Sequence, residues 1–390
     1  MGDDTRSAVI NRLTSRAWRD DAFRALLFDD AQAALLQEFG EIPEGFDRAR
    51  FRPTEVDRVT VRNTADGRSL LVRPKRSDRP LSVVPRQVFG VRELVIVFYT
   101  KRCQYQCTFC TLPSTSAFSD VSDQGIQGQL DYAFAVAGDE LRQLEQVSLG
   151  NEGSILDERT FSRSQLRSVL TQCAALPSMK EIVLETRAEF ASEALLEEIV
   201  AWIAPCRLTL KIGLESADDT IRQKILRKKM DLDDFERVVA TCGRKGIGIA
   251  SYVLVKADPA HTDEQGREDA RKTCEYLKAL CRIHRVNLIL RVNTMYRAEG
   301  SLWAEWAAEK GWQPPSIFDL AEVMLDVYSD DVKVFAGLYD EGLATVDGHY
   351  EARPDFERWA MDALEQYNRT LDVELLKRVA GYRRSATASV

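Results

Sequence analysis

The chain has 390 residues and carries 53 Lys and Arg against 61 Asp and Glu, a formal net charge of −8 at pH 7. That balance argues against a protein held to nucleic acid by bulk charge, because phosphate binding needs a surplus of cations on the binding face. With 45% hydrophobic and 29% charged residues it has the composition of a globular protein able to bury a large core, away from the disordered and fibrous classes.

The opening stretch MGDDTRSAVINRL lacks the basic and apolar regions of a secretory signal, and no apolar run approaches the roughly 20 residues that span a bilayer. A cytoplasmic protein with no membrane partner is expected, and its eight cysteines are not expected to form a disulfide framework. Residues 1–90 read as an extension, with an amphipathic helix across DAFRALLFDDAQAALLQEFG and then two β-rich runs flanking a hairpin turn at Asp66-Gly67. From residue 91 short apolar runs alternate with helix-length segments: ELVIVFY, QVSLG, EIVLE, LTLKIGLE, GIASYVLV and VNLILRVN. These six runs between Glu93 and Asn293 predict parallel strands covered by helices, the α/β pattern of a barrel or doubly wound sheet, over residues 91–310. Beyond it, residues 311–390 are expected to form a mostly helical extension ending in the polar tail RRSATASV.

Directly after the first run, TKRCQYQCTFCTLPS sets Cys103, Cys107 and Cys110 in a C-x3-C-x2-C spacing. Three thiolates on one loop suit a cubane [4Fe-4S] cluster whose fourth iron stays open to a bound molecule. Zinc needs a fourth ligand. His261, His284 and His349 stand at no finger-like spacing, though a distant Cys or His would serve, and chance spacing of core cysteines is the plainest alternative.

This spacing, with aromatic Phe109 just before the last cysteine, resembles the radical SAM superfamily, and the resemblance covers about residues 91–295. It implies a partial (β/α)6 barrel in which the open iron binds the amino and carboxylate groups of S-adenosyl-L-methionine (SAM). Electron transfer, from a flavodoxin- or ferredoxin-type cellular reductant, then yields methionine and a 5′-deoxyadenosyl radical that takes hydrogen from the substrate. Gly150, Asn151 and Glu152 in LGNEGS stand where the family's Gly-Gly-Glu element holds the methionine amino group, in a form that departs from the strict one. A strand-to-helix turn with a solvated acid is the alternative. Glu185 and Arg187 alternate on one strand face, where they hold a ribose hydroxyl and a carboxylate if they face inward and form an ion pair if they face outward. The segment IGLESADDTIR resembles the elongator-type branch, in which an acid lies near the cofactor ribose and a basic residue near its carboxylate. Glu215 and Ser216 match the first, and Arg227, with Lys228 and Lys229 beside it, the second; a solvated helix end is the other reading of the basic run.

The segments NEGSILD, VLETRAEF, YVLVKADPAHTDE and EWAAEKGWQPPSIF are similar to archaeosine synthase-like radical SAM proteins and their bacterial relatives, whose archaeal members act on a modified guanine in tRNA. An RNA modifier is expected to carry a basic, aromatic recognition module, and both terminal segments are acidic instead. A small nucleoside- or nucleotide-like substrate of a specialised biosynthetic pathway is therefore preferred, with tRNA base modification as the alternative and a purely structural cluster as a third. The reaction type, lyase, epimerase or other, stays open. Chemistry in α/β barrels concentrates at the C-terminal strand ends, which nominates Tyr252, Lys256, Arg291 and Asn293 as catalytic residues, with Tyr296 nearby. Tyr252 and Lys256 are expected on one strand face, as are Arg291 and Asn293; a rim ion pair is the plain reading of Arg291. Cys173, Cys206, Cys242, Cys274 and Cys281 read as buried apolar residues, with a hydrogen donor opposite the radical as the alternative.

Overall fold

The computed structural model of the chain describes residues 77–387 apart from 118 and 341, residues 30–43, the backbone of three strands between 50 and 73, and scattered positions before 30. Those three strands, β1 (Arg50–Arg52), β2 (Arg58–Thr64) and β3 (Gly67–Arg73), form one small sheet. β2 and β3 run antiparallel with Thr64 opposite Gly67, the predicted hairpin, although Asp66 itself lies outside the described residues. The helix predicted as one piece over DAFRALLFDDAQAALLQEFG is interrupted at Asp30: Ala22, Phe23, Leu26 and Leu27 are helical before it, and α1 (Ala31–Phe39) starts anew after it, capped by Asp30, which accepts from the backbone N–H groups of Gln32 and Ala33.

The main sheet has eight strands in spatial order β4 (Ser82–Val88), β5 (Val91–Val97), β6 (Gln146–Gly150), β7 (Glu181–Thr186), β8 (Arg207–Glu215), β9 (Gly248–Val255), β10 (Leu288–Thr294) and β11 (Lys333–Gly337). β5 to β11 are parallel and β4 pairs antiparallel with β5, so the sheet curls as a partial α/β barrel whose strands β5 to β10 are the six read from sequence. Connecting them are α2 (Asp123–Ala137), α3 (Arg163–Ala174), α4 (Glu193–Ile203), α5 (Leu232–Lys245) and α6 (Asp263–His284), followed by α7 (Leu302–Glu309) and α8 (Ile317–Val327). Polar caps start these helices: Ser162 and Gln165 close a capping box on α3, and Thr262 and Gln265 another on α6.

Alternation along the strands makes the two faces of the sheet chemically opposite. Leu94, Ile96, Leu149, Leu184, Leu210, Ile249, Val253, Leu290 and Val292 point outward under the helices at 0% exposure, each contributing about 1.5–3 kcal/mol by burial. The concave face carries Glu93, Ser148, Glu185, Lys211, Tyr252, Arg291 and Asn293 instead. No helix among the described residues is long and apolar enough to cross a membrane.

The C-terminal segment, expected to be mostly helical, supplies α9 (Arg358–Thr370) and α10 (Val373–Thr387) but also strand β11. KVFAG escaped the sequence reading because its five residues are too short a run to show a period. Asn368 of α9 caps this edge strand: its Nδ2 donates to Ala336 O at 2.8 Å and its Oδ1 accepts from Ala336 N at 2.9 Å. The same turn of α9 accepts Phe89 N at Asn368 O (2.8 Å) and Gly90 N at Arg369 O (2.7 Å), so the β4 and β11 ends of the sheet meet on one helix. Replacing Asn368 by Ala leaves a buried backbone donor and acceptor unmet, and is expected to lower the unfolding free energy by about 1–3 kcal/mol in chemical denaturation.

Candidate active site

The C-terminal ends of the parallel strands open on one cavity of about 210 Å³. Its wall takes Cys103, Cys107, Phe109 and Cys110 from the loop after β5, Glu152 and Gly153 after β6, and Glu185, Thr186 and Arg187 at the end of β7. Gly213, Glu215 and Lys228 come from β8 and its loop, and Tyr252, Leu254, Asn293, Tyr296 and Tyr339 from β9 to β11 and the segments that follow.

Thr108, buried between the second and third cysteines, fastens their loop. Its N–H donates to Leu226 O at 3.0 Å, its Oγ1 donates to Ile225 O at 2.6 Å, and its carbonyl accepts from Trp303 N at 2.9 Å. Arg187 makes a second tie. Its guanidinium stacks on Tyr105 at 3.7 Å from the ring centre, donates to Lys228 O at 2.6 Å and Glu189 at 2.5 Å, and lies 3.9 Å from Cys107 Sγ. Desolvation pushes the Cys110 thiol well above its ordinary range, with Cys107 adding to the effect, and also raises Cys103.

All three cysteines are free and share the cavity wall. Among the described residues no three His, Cys, Asp or Glu side chains converge as a preformed metal site. The donor chemistry nonetheless suits an iron–sulfur cluster with one open position: three thiols and no histidine line the cavity, and a Cβ on Gly153 would press on the Cys103 Cβ at 3.0 Å, so the backbone there is shaped around the loop. Among the described residues no fourth Cys and no His lines the wall. The five lone cysteines are buried in the core outside the cavity, where desolvation pushes the thiols of Cys173, Cys242 and Cys281 up to about 12 and raises Cys206 and Cys274 as well. None of them faces the site as a hydrogen donor.

Two carboxylates enter the cavity on left-handed backbone. Glu152 (φ 59°) accepts from Thr115 Oγ1 at 2.6 Å and Ser116 Oγ at 3.2 Å. Glu215 (φ 69°) ends β8 at a bulge and pairs with Lys228 Nζ at 2.7 Å, both side chains only 8% exposed. Gly213 makes room for that pair, since a Cβ there would collide with Glu215 Oε1 and lie 2.8 Å from Lys228 Nζ. Deeper in, Glu185 pairs with Lys211 at 2.8 Å. Desolvation would lower the Lys211 pKa, but Glu185 and then Tyr252 outweigh it and hold the ammonium above its ordinary value.

No model of a known protein family matches the chain. An uncharacterized protein of Methanocaldococcus jannaschii is 21% identical over 292 residues, 73% of this chain and 78% of its own. Archaeosine synthase subunit beta of Thermococcus kodakarensis is 21% identical over 296 residues, 72% of this chain and 84% of its own. Among solved structures, the radical S-adenosylmethionine methyltransferase TsrM of Kitasatospora setae matches with a TM-score of 0.40 and 15% identity, covering 63% of this chain and 48% of its own. The chain is similar to radical SAM enzymes and to archaeosine synthase subunit beta. It spans about half the length of the solved chains it matches.

Several residues nominated from sequence lie elsewhere than expected. Arg227 does not line the cavity; it is left-handed (φ 48°), like Lys229 (φ 52°), and stacks on Trp306 at 5.3 Å, so of the basic run only Lys228 turns inward. Ser216 is spent on the loop after β8, donating to Asp269 at 2.9 Å and accepting from Asp218 N. Asn151 clamps its own turn through Thr160 Oγ1 at 3.0 Å and Thr100 Oγ1 at 3.2 Å, and Gly150 packs under Glu185 rather than in the wall. Glu185 and Arg187 both line the cavity, yet neither pairs with the other. Lys256 follows the end of β9 at φ 65°, which breaks the strand alternation and turns its Nζ away to Asp263 at 2.6 Å and Gln313 O at 2.8 Å. Tyr252 and Asn293 line the cavity as expected, and Arg291 lies beside them in the sheet rather than in a rim ion pair. Tyr105, Lys211 and Tyr339 went unread; the glycine two residues before Glu215 was the one signal of a crowded site. Gly213→Ala is expected to displace the Glu215–Lys228 pair and cost about 1–3 kcal/mol of stability, measured by denaturant unfolding.

Proposed function

We propose that the chain is a radical SAM enzyme that holds one [4Fe-4S] cluster on Cys103, Cys107 and Cys110 and acts on a small nucleoside- or nucleotide-like substrate in the barrel lumen. The observation that carries this reading is the convergence of the three-cysteine loop, Glu152 and the Glu215–Lys228 pair on one cavity at the C-terminal strand ends. When bound, the cluster supplies the electron that splits SAM into methionine and a 5′-deoxyadenosyl radical. A flavodoxin- or ferredoxin-type protein is the proposed source of that electron, and the cytoplasm the proposed compartment.

The chain's own residues then bind and orient. Glu152, its carboxylate aimed by Thr115 and Ser116, offers an acceptor to the amino group of the cofactor. Glu215 offers acceptors to a ribose, while Lys228 holds that carboxylate in place and presents a cation to the cofactor carboxylate. Phe109 forms an apolar wall with Leu254 and Met295. Tyr252, Arg291 and Asn293 face the substrate side. The −8 charge supports a small substrate over an RNA.

Anaerobic reconstitution is expected to give about four irons per chain, and Cys107→Ala is expected to lose both the cluster and the release of 5′-deoxyadenosine from SAM under dithionite. Normal 5′-deoxyadenosine formation by that variant would overturn the assignment of the triad. Glu152→Gln is expected to weaken SAM binding about tenfold to a hundredfold, the equivalent of one charge-assisted hydrogen bond, with iron content unchanged. Because Glu215→Gln alone strands a buried ammonium, the double variant Glu215→Gln with Lys228→Met is the better probe of the second contact, read by equilibrium SAM binding. A tRNA complex whose affinity falls steeply with salt, by roughly 0.7–0.9 in log K per phosphate contacted per decade of salt, would favour RNA modification instead.

A further inference from the structure

Charge on the concave face of the barrel is balanced pair by pair. Glu93 meets Arg86 at 2.5 Å, Glu181 meets Arg207 at 3.1 Å, Glu185 meets Lys211 at 2.8 Å and Glu215 meets Lys228 at 2.7 Å. Arg291 has no carboxylate partner among the described residues. Lys333 has none either, but it begins β11 exposed to solvent.

Register places Arg291 level with Tyr252 on β9 and Phe335 on β11, and Tyr252 in turn level with Gly213. Tyr252 and Gly213 line the cavity, so Arg291 stands on the same face at the same height. Its guanidinium carbon lies 5.2 Å from the Tyr252 ring centre and 3.9 Å from that of Phe335. The two rings fix the side chain and offset part of its desolvation. They do not accept its in-plane N–H groups, and Nε is buried without a partner. Two residues on, Asn293 lines the cavity with its Oδ1 buried and unpartnered, in a space that exists because residue 337 is glycine: a Cβ there would collide with the Asn293 amide. A buried guanidinium donor and an amide oxygen, both unmet by the protein's own groups, are costly to maintain without a polar partner.

We infer that Arg291 is the anchor for an anionic oxygen group of the substrate, a phosphate or a carboxylate, with Asn293 bonding a polar group next to it. This rests on the proposed use of the lumen as the substrate chamber and sharpens it, favouring a nucleotide or a carboxylated ligand over an uncharged nucleoside. A guanidinium held in one plane suits a two-oxygen acceptor.

The test is calorimetric titration of the reconstituted full chain with inorganic phosphate and, separately, with acetate at low ionic strength. At least one anion is expected to bind saturably, phosphate pointing to a nucleotide and acetate alone to a carboxylate. Arg291→Gln is expected to weaken that binding at least tenfold and leave SAM affinity unchanged, while Arg291→Lys, which keeps the charge, loses affinity severalfold. The inference fails if neither anion binds, if binding survives Arg291→Gln or is undiminished in Arg291→Lys, or if Arg291→Gln weakens SAM equally, which would assign the arginine to the cofactor's own carboxylate. Phosphate bound at Arg291 by a protein that releases no 5′-deoxyadenosine would refute the enzymatic reading alone; 5′-deoxyadenosine release without anion binding would refute the anchor alone.

Discussion

Three hydrogen bonds on Thr108 hold the site together. That residue sits between Cys107 and Cys110 and is bonded through its amide and hydroxyl to the turn at Ile225 and Leu226, and through its carbonyl to the start of α7. The turn leads directly into Lys228, whose carbonyl is gripped by Arg187, and Arg187 closes the circuit on Tyr105 and Cys107. Thiols and the Glu215–Lys228 pair come from segments more than a hundred residues apart in the chain, yet their separation in space is set by these few short contacts. A buried network of this kind is rigid because any member that moves leaves a further polar group unmet in a low-dielectric surrounding.

The two-faced sheet is what makes such a network affordable. Its outer face, apolar and fully covered by helices, supplies the folding free energy, so the concave face is free to carry charge. Buried ion pairs contribute little net stability, because desolvating both partners consumes most of their attraction. Glu185–Lys211 and Glu215–Lys228 are therefore poorly explained as struts, and the place of Glu185, Glu215 and Lys228 on a cavity wall supports a role in holding a polar ligand.

The six parallel strands and the cysteine loop were legible in the sequence because each rests on a local pattern: continuous apolar runs at helix-length intervals, and three thiols within eight positions. What was not legible follows from left-handed backbone. Lys256, one residue past β9, has positive φ, which redirects a side chain that a period of two would place on the face of Tyr252, and Arg227 and Lys229, flanking Lys228 in the loop after β8, have positive φ as well. No composition rule distinguishes Arg227 from Lys228 in Arg-Lys-Lys. Asn151 misled for a different reason: a polar residue at a strand end serves a turn as readily as a ligand, and here its Nδ2 is taken up by three acceptors, Thr100 Oγ1, Ser154 O and Thr160 Oγ1. β11 was missed because the edge it occupies is completed by a side chain from α9, a long-range partner with no trace in local sequence.

Net charge and local charge point in different directions in this chain, and the difference bears on the substrate. A protein of charge −8 repels polyanions at a distance, and at physiological salt that field decays within about 8 Å of the surface. Inside the lumen the carboxylates on the strands are matched by cations and Arg291 is left over, while Glu152 at the strand ends is met by the hydroxyls of Thr115 and Ser116. Low-dielectric walls concentrate the field of that single cation along the cavity axis. On the proposed reading a small anion in the lumen is drawn to Arg291, whereas a long polyanion has to bring many phosphates up to a chain of net charge −8 to deliver one residue to the same place. On that reading electrostatics favours the smaller anion before any contact with the reacting group is made.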